Sequence, residues 1–264
     1  MGSDVSLKFY RRDDDLARQA FALIKNWEDR LTVNPRHAAQ ADKSEIAQIN
    51  AAAGRAAVAV SPDVFALLAR AQTVSLMPHS CFNFAIGAVV KAWNIGFAQM
   101  RRPPAAELAA ALALANPREV QLNAANGTVF LPRMGMRLDL GAIAKGFIAD
   151  EVKAFLQARG VQAALINLGG NVHSIGAPPR EAEAAAAAPA DTALYEADMA
   201  AEMSRSAGRT AGEAAWAVGL QKPFAAKGEL LGIIHMADKS VVSSGIYERF
   251  FVAEKGAPLA VSAA

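Results

Sequence analysis

Between Asp139 and Gly146 the chain reads Asp-Leu-Gly-Ala-Ile-Ala-Lys-Gly: a carboxylate, a run of small residues and a lysine. The apolar pattern predicts a strand over 136–140 and a helix directly after it, so Asp139 stands at a strand end and small residues open the helix. The first N–H groups of a helix lack intrahelical partners and favour an anion, and small side chains let that anion approach. Lys145, one to two turns in, adds positive charge against a phosphate. Carboxylate, free amides and lysine together suit a phosphorylated ligand accompanied by magnesium. The same stretch also reads as a plain strand-to-helix turn with a surface lysine. On residue types alone that plainer reading carries more weight, because short glycine-containing motifs are common.

Three other stretches could carry chemistry. In Asn167-Leu-Gly-Gly-Asn171 the paired glycines permit positive φ and close backbone approach to a ligand, or simply make a hairpin, which is the better reading taken alone. Residues 243–251 place hydroxyls and a glycine before Tyr247, Glu248, Arg249 and Phe251, a pattern equally at home in a sheet with a surface ion pair. In 80–96, Phe82, Phe84, Ile86 and Trp93 read as core, and Asn83 near Gly87 as a tight polar turn. The single cysteine, Cys81, excludes an internal disulfide and a thiolate zinc cluster. His37, His79, His173 and His235 are scattered and form no HExxH pair, so an oxygen-held hard ion suits the composition better than zinc. No phosphate-binding P-loop, dinucleotide fingerprint or nucleophile elbow occurs, and no catalytic pair is evident.

The elements that must position these residues are legible from periodicity. Val5, Leu7 and Phe9 alternate in a short strand, and Leu16, Ala20, Ile24, Trp27 and Leu31 keep helical spacing over 14–31. Asp42 and Glu45 read as a capping pair for a short helix through Ile49, and Ser61-Pro62-Asp63 opens another. Beyond residue 120 the period shortens: a hairpin turns at Asn126-Gly127, Gly160 stops the helix after 140, and strands follow at 164–176, 229–236 and 239–252. The predicted class is α+β, a helical first part packed on one mostly antiparallel sheet from the second half. Residues 181–215 form an alanine-rich, low-complexity insertion, expected to be a mobile surface segment.

Composition bounds the function. The 264 residues are 53% hydrophobic and 20% charged, enough for a packed core in one large domain or two small ones. A net charge of +2 makes no electrostatic case for nucleic acid. No apolar run approaches the roughly 20 residues of a transmembrane segment. The N-terminus carries no signal-peptide core.

Taken in order, 44–50, 82–97, 137–150, 164–176, 216–224 and 239–251 resemble the FAD:protein FMN transferase (ApbE) family over nearly the whole chain. The resemblance implies a single ApbE-like, T-fold-related domain over 1–264. It implies FAD as substrate, Mg²⁺ as cofactor, and transfer of FMN to a threonine hydroxyl of an acceptor flavoprotein with release of AMP. Asp139 and Lys145 match positions that contact FAD, and Ala142 matches a metal-site position, where only its carbonyl can serve. Cys81, Phe82 and Asn83 match the segment along the flavin nucleotide, with Asn83 in place of the usual aspartate; Met1 matches a flavin-contacting methionine. The family's flavin-stacking tyrosine falls near Asn34, so the resemblance implies that this platform is absent here. After Phe251 the family continues into a His-x-x-Asp-Pro-x-Thr-Gly segment and further metal ligands, whereas this chain reads VAEKGAPLAVSAA. The expectation is therefore a C-terminally incomplete domain with impaired transferase activity; the alternative is a non-catalytic flavin-nucleotide-binding protein or a scaffold. Family members are often membrane-anchored outside the cytoplasm, and the sequence leaves the location open.

Overall fold

The computed structural model describes residues 4–10, 12–95, 97, 100–179, 215–226 and 228–245, and the backbone of 251–252 and 258–259. Met1, nearly all of the alanine-rich stretch, and Tyr247, Glu248 and Arg249 lie outside the described residues. In chain order the elements are β1 (Val5–Phe9), α1 (Asp14–Leu31), α2 (Ala38–Lys43), α3 (Glu45–Ala52), β2 (Val58–Ala59), α4 (Pro62–Leu76), α5 (Gly87–Trp93) and α6 (Ala105–Ala113). There follow β3 (Gln121–Asn123), β4 (Thr128–Phe130), α7 (Ala144–Gln157), β5 (Ala164–Leu168), β6 (Asn171–Ile175), β7 (Trp216–Gln221), β8 (Leu230–Met236), β9 (Ser240–Val242), β10 (Phe251–Val252) and β11 (Pro258–Leu259). The α+β class and the antiparallel pairing agree with the sequence reading. The single sheet does not: the strands fall into separate sheets ordered β1-β5-β6-β9, β2-β4-β3, β7-β8 and β10-β11. Alternation reports which face of a strand is buried and carries no information about its partner. No helix among the described residues is long and apolar enough to cross a membrane.

The described chain divides into two compact units, residues 1–22 with 149–243, and residues 23–148 with 244–264. In the second unit the helix starts follow cap chemistry. Ser61 Oγ accepts from the Val64 N–H with Pro62 in the first turn, as the sequence predicts. The cap of α3, however, is Ser44 and not Asp42: its Oγ accepts from the Ala47 N–H at 3.0 Å, and Asp42 lies inside α2. Glu45 is thereby released to bind elsewhere. Its carboxylate receives Arg30 Nε at 2.9 Å and the Ser61 N–H at 2.6 Å, while the Arg30 guanidinium lies 4.1 Å over the Trp27 ring. The β3–β4 hairpin turns through four residues, with Asn123 Oδ1 accepting from the Ala125 and Asn126 amides and Gly127 at φ 60°.

In the first unit β5 alternates strictly, burying Ala164, Ile166 and Leu168. Gly169 and Gly170 take φ of 61° and 85° to turn β5 into β6, and the Gly170 N–H is held by Asn167 Oδ1 at 3.0 Å. The Asn167–Asn171 stretch is thus a hairpin, the plainer of its two readings. Trp216, Val218 and Met236 of β7 and β8 form a buried cluster against which Tyr10, Leu165, Val172 and Val241 pack.

His173 on β6 titrates in this unit. Its side chain is 11% exposed, with Nδ1 3.5 Å from Asp150 Oδ1. Burial pushes its pKa below the ordinary value; Asp150 opposes the shift and Lys153 adds to it. The native state therefore binds fewer protons than the unfolded chain as pH falls through about 6.5. Stability falls with pH from there until the folded-state pKa is passed. Urea midpoints of His173→Gln are expected to vary less across this range than those of the parent chain; equal slopes would remove His173 as the cause.

Candidate functional site

The site is built around residues 136–140, an extended segment that among the described residues makes one isolated bridge, between Arg137 and Ile86. Leu138 and Leu140 point inward at 1% exposure each, which turns Arg137 and Asp139 to the other side. Three groups hold the segment. Asn50 of α3 bonds both backbone groups of Leu138, donating to its carbonyl at 3.0 Å and accepting from its N–H at 2.6 Å. The Gly87 N–H donates to the Arg137 carbonyl at 3.0 Å, and the Asp139 N–H donates to the Phe84 carbonyl at 2.9 Å. Gly87 is required by this approach: a Cβ there would lie 2.8 Å from Arg137 Cβ, the Arg137 oxygen and the Leu138 oxygen.

After Asp139 the chain differs from the expected strand running straight into a helix. Residues 141–143 form a turn and α7 starts at Ala144, so Lys145 is the second helical residue. Asp139 Oδ1 accepts from the Gly141 N–H at 2.8 Å, and the Leu140 carbonyl accepts from the Ile143 and Ala144 amides at 3.0 and 2.8 Å. Much of the amide array that the sequence offered to an anion is therefore consumed by the turn. At this point stand an oriented carboxylate, the exposed Ala142 and the half-buried Lys145.

Asn83 has a structural task. Its Nδ2 donates to the Ala115 carbonyl at 2.7 Å and its Oδ1 accepts from the Ala85 N–H at 2.8 Å, shaping the turn ahead of α5. Cys81 beside it is exposed and Phe82 half-buried, while Phe84 is fully buried.

Asp139 opens into a depression within this unit, whose walls include Asn34, Lys91, Phe97 and Arg137. Cys81, Phe82, Asn83, Ala142 and Lys145 are not among the lining residues. The structure thus joins Asp139 with Asn34, and adds Lys91, Phe97 and Arg137, to which residue types and spacing assigned no role. Lys91 and Arg137 make no ion pair or side-chain hydrogen bond among the described residues. Two unpaired cations beside one carboxylate give the depression a net positive lining suited to a ligand with more than one anionic oxygen.

A family model described as the ApbE family matches residues 1–259. The chain belongs to the ApbE family. Among its relatives is a Klebsiella pneumoniae protein named FAD:protein FMN transferase, 42% identical over 251 residues, covering 95% of this chain and 66% of the relative. A Treponema pallidum protein of the same name is 36% identical over 238 residues, covering 88% of this chain and 58% of that protein. This ApbE chain therefore spans less than two thirds of the length of either relative. Among solved structures, the ApbE protein of Thermotoga maritima matches with a TM-score of 0.73 at 19% identity, over 96% of this chain and 70% of that one. The apo flavinyl transferase ApbE of Pseudomonas stutzeri matches at 0.67 and 19% identity, over 95% and 67% of the two chains. At those identities the structural likeness establishes the fold.

Proposed function

We propose that this ApbE chain carries the flavin-nucleotide site of an FAD:protein FMN transferase, which moves FMN from FAD to a threonine hydroxyl of an acceptor flavoprotein. The observation that carries this reading is the 42% identity, over 95% of the chain, to a protein of that name. In the reaction the threonine oxygen bonds to the FMN phosphorus, the pyrophosphate P–O bond breaks, and AMP leaves with the bridging oxygen. The hydroxyl proton passes to solvent or to a base outside the described residues. Asp139, oriented by the Gly141 amide, keeps Oδ2 to accept from a nucleotide donor. Lys145 in the first turn of α7 supplies positive charge to the pyrophosphate. Met1, Cys81, Phe82 and Asn83 are the further proposed flavin contacts, through the family resemblance.

The same reading assigns Mg²⁺ to the carbonyl of Ala142. Among the described residues no group of three His, Cys, Asp or Glu could hold a metal ion. One carbonyl and a carboxylate already bonded to Gly141 fall short of the six oxygens such an ion takes. These residues do not by themselves make an ion site, and no step above runs through the metal.

FAD titration of the intact chain by calorimetry tests the proposal, with and without Mg²⁺ and beside Lys145→Ala. The parent chain is expected to bind, and loss of a charge-assisted contact worth about 1.5–3 kcal/mol weakens binding roughly 10–100-fold in the variant. The variant's melting temperature without ligand, measured alongside, separates loss of a ligand contact from loss of stability. Equal affinity in the variant removes Lys145 from the site. AMP release on adding a threonine-bearing acceptor separates a transferase from a protein that only binds the nucleotide.

A further inference from the structure

We infer that Phe97 is the ring platform of the nucleotide site in this chain, and that Lys91 and Arg137 are its phosphate-facing cations. The inference rests on the flavin-nucleotide reading above and adds residues to it. Asn94 ends α5 in the left-handed conformation, at φ 52° and ψ 35°, and its N–H returns to the Val90 carbonyl. Beyond it the Phe97 N–H donates to the Asn94 carbonyl at 3.3 Å and the Arg101 N–H to the Trp93 carbonyl at 3.1 Å. This turn carries Phe97 back to the depression that Asp139 and Arg137 line.

Phe97 remains 48% exposed there. Other large apolar side chains are exposed as well, Phe21 and Phe224 among them, but they do not line this concavity. At Phe97 the exposed ring shares its walls with two cations that have no side-chain partner among the described residues. An uncommitted aromatic face beside uncommitted positive charge matches the two halves of a nucleotide: a flat ring that stacks and phosphates that need cations. Asn34 lines the same depression and offers no ring, so Phe97 is the aromatic side chain among the residues that line it. The ring is either the isoalloxazine or the adenine of FAD, which share this chemistry and can be told apart by fragment.

The experiment is calorimetric titration of the intact chain with FAD, FMN and ADP, comparing the parent with Phe97→Ala, Phe97→Trp, and a double variant Lys91→Gln with Arg137→Gln. Stacking losses on alanine substitution correspond to about 5–100-fold, so Phe97→Ala should weaken FAD by that factor while Phe97→Trp binds within about threefold of the parent. A loss shared with FMN assigns the ring to isoalloxazine; one shared with ADP assigns it to adenine. The double variant should bind FAD more weakly and with a shallower salt dependence. If the parent binds FAD and Phe97→Ala binds it equally well, Phe97 is not the platform and the transferase reading stands. If the parent binds FAD and the double variant keeps its affinity and salt slope, the cation assignment is overturned. A parent chain that binds none of the three ligands overturns the flavin-nucleotide reading and this inference with it. Each variant changes an exposed or half-buried side chain, and melting temperatures check that the fold is retained.

Discussion

Asn50→Leu is expected to destabilise the chain by about 2–6 kcal/mol and to abolish the FAD binding proposed above, though leucine nearly matches asparagine in shape. Asn50 is 6% exposed and stands in for a neighbouring strand: its amide donates to the Leu138 carbonyl and accepts from the Leu138 N–H, across 88 residues of sequence. Leucine removes both bonds and leaves a buried donor and a buried acceptor unpaired, at about 1–3 kcal/mol each. The damage falls on the residue before Asp139, so the carboxylate loses its position with the segment. Urea unfolding with an unchanged m-value would measure the loss, and a shift under 1 kcal/mol would show that Leu138 finds other partners. Asn50→Asp sharpens the test. Its carboxylate can accept from the Leu138 N–H but must be protonated to donate to the carbonyl. Burial and this donor requirement raise the folded-state pKa, so between the unfolded and folded values the native state holds the extra proton. Stability of that variant should therefore fall as pH rises through this window, the reverse of the trend assigned to His173.

Asn50 also shows where a sequence stops being legible. Local features were readable because their causes are local: the α1 periodicity, the Ser61-Pro62 helix start, the positive-φ glycines at 169 and 170, and Gly160 just past α7 at φ 79°. The sequence points to Asp42 at the start of α3 and the structure uses Ser44, because both are good capping residues and the backbone path from α2 decides between them. The segment 136–140 alternates like a strand and lies extended, yet side-chain and turn groups satisfy much of its backbone in place of a ladder. Periodicity cannot distinguish those partners. The candidate site divides in the same way. Asp139 is legible through the motif that contains it, whereas Lys145 of the same motif does not line the depression. Lys91, Phe97 and Arg137 meet because Asn94 reverses the chain and Gly87 admits the 136–140 backbone, and no spacing rule connects positions 91, 97 and 137.

In the first unit, Gly176→Ala is expected to destabilise by about 3–5 kcal/mol, a fall in melting temperature of roughly 6–20 °C for a chain of this size. Gly176 has φ +52°, where an added Cβ costs about 1–2 kcal/mol on its own. Here the Cβ would also overlap the carbonyl oxygen of Gln162, a backbone atom that cannot swing aside as a flexible side chain can. The backbone around Gly176 has little freedom to yield. Its N–H donates to Asp238 Oδ1 at 2.8 Å, and its carbonyl accepts from Trp216 Nε1 at 3.0 Å. Moving it pulls on Trp216, the largest member of the cluster with Val218 and Met236. Gly160→Ala separates the two contributions: φ is +79° there, and nothing lies within 4 Å of the added Cβ. That variant should lose only the conformational share, about 1–2 kcal/mol. Thermal and urea unfolding of both variants, with near-ultraviolet circular dichroism to follow the tryptophans, would measure the difference. Equal losses would mean that the Gln162 carbonyl moves freely and that left-handed strain alone sets the requirement for glycine at 176.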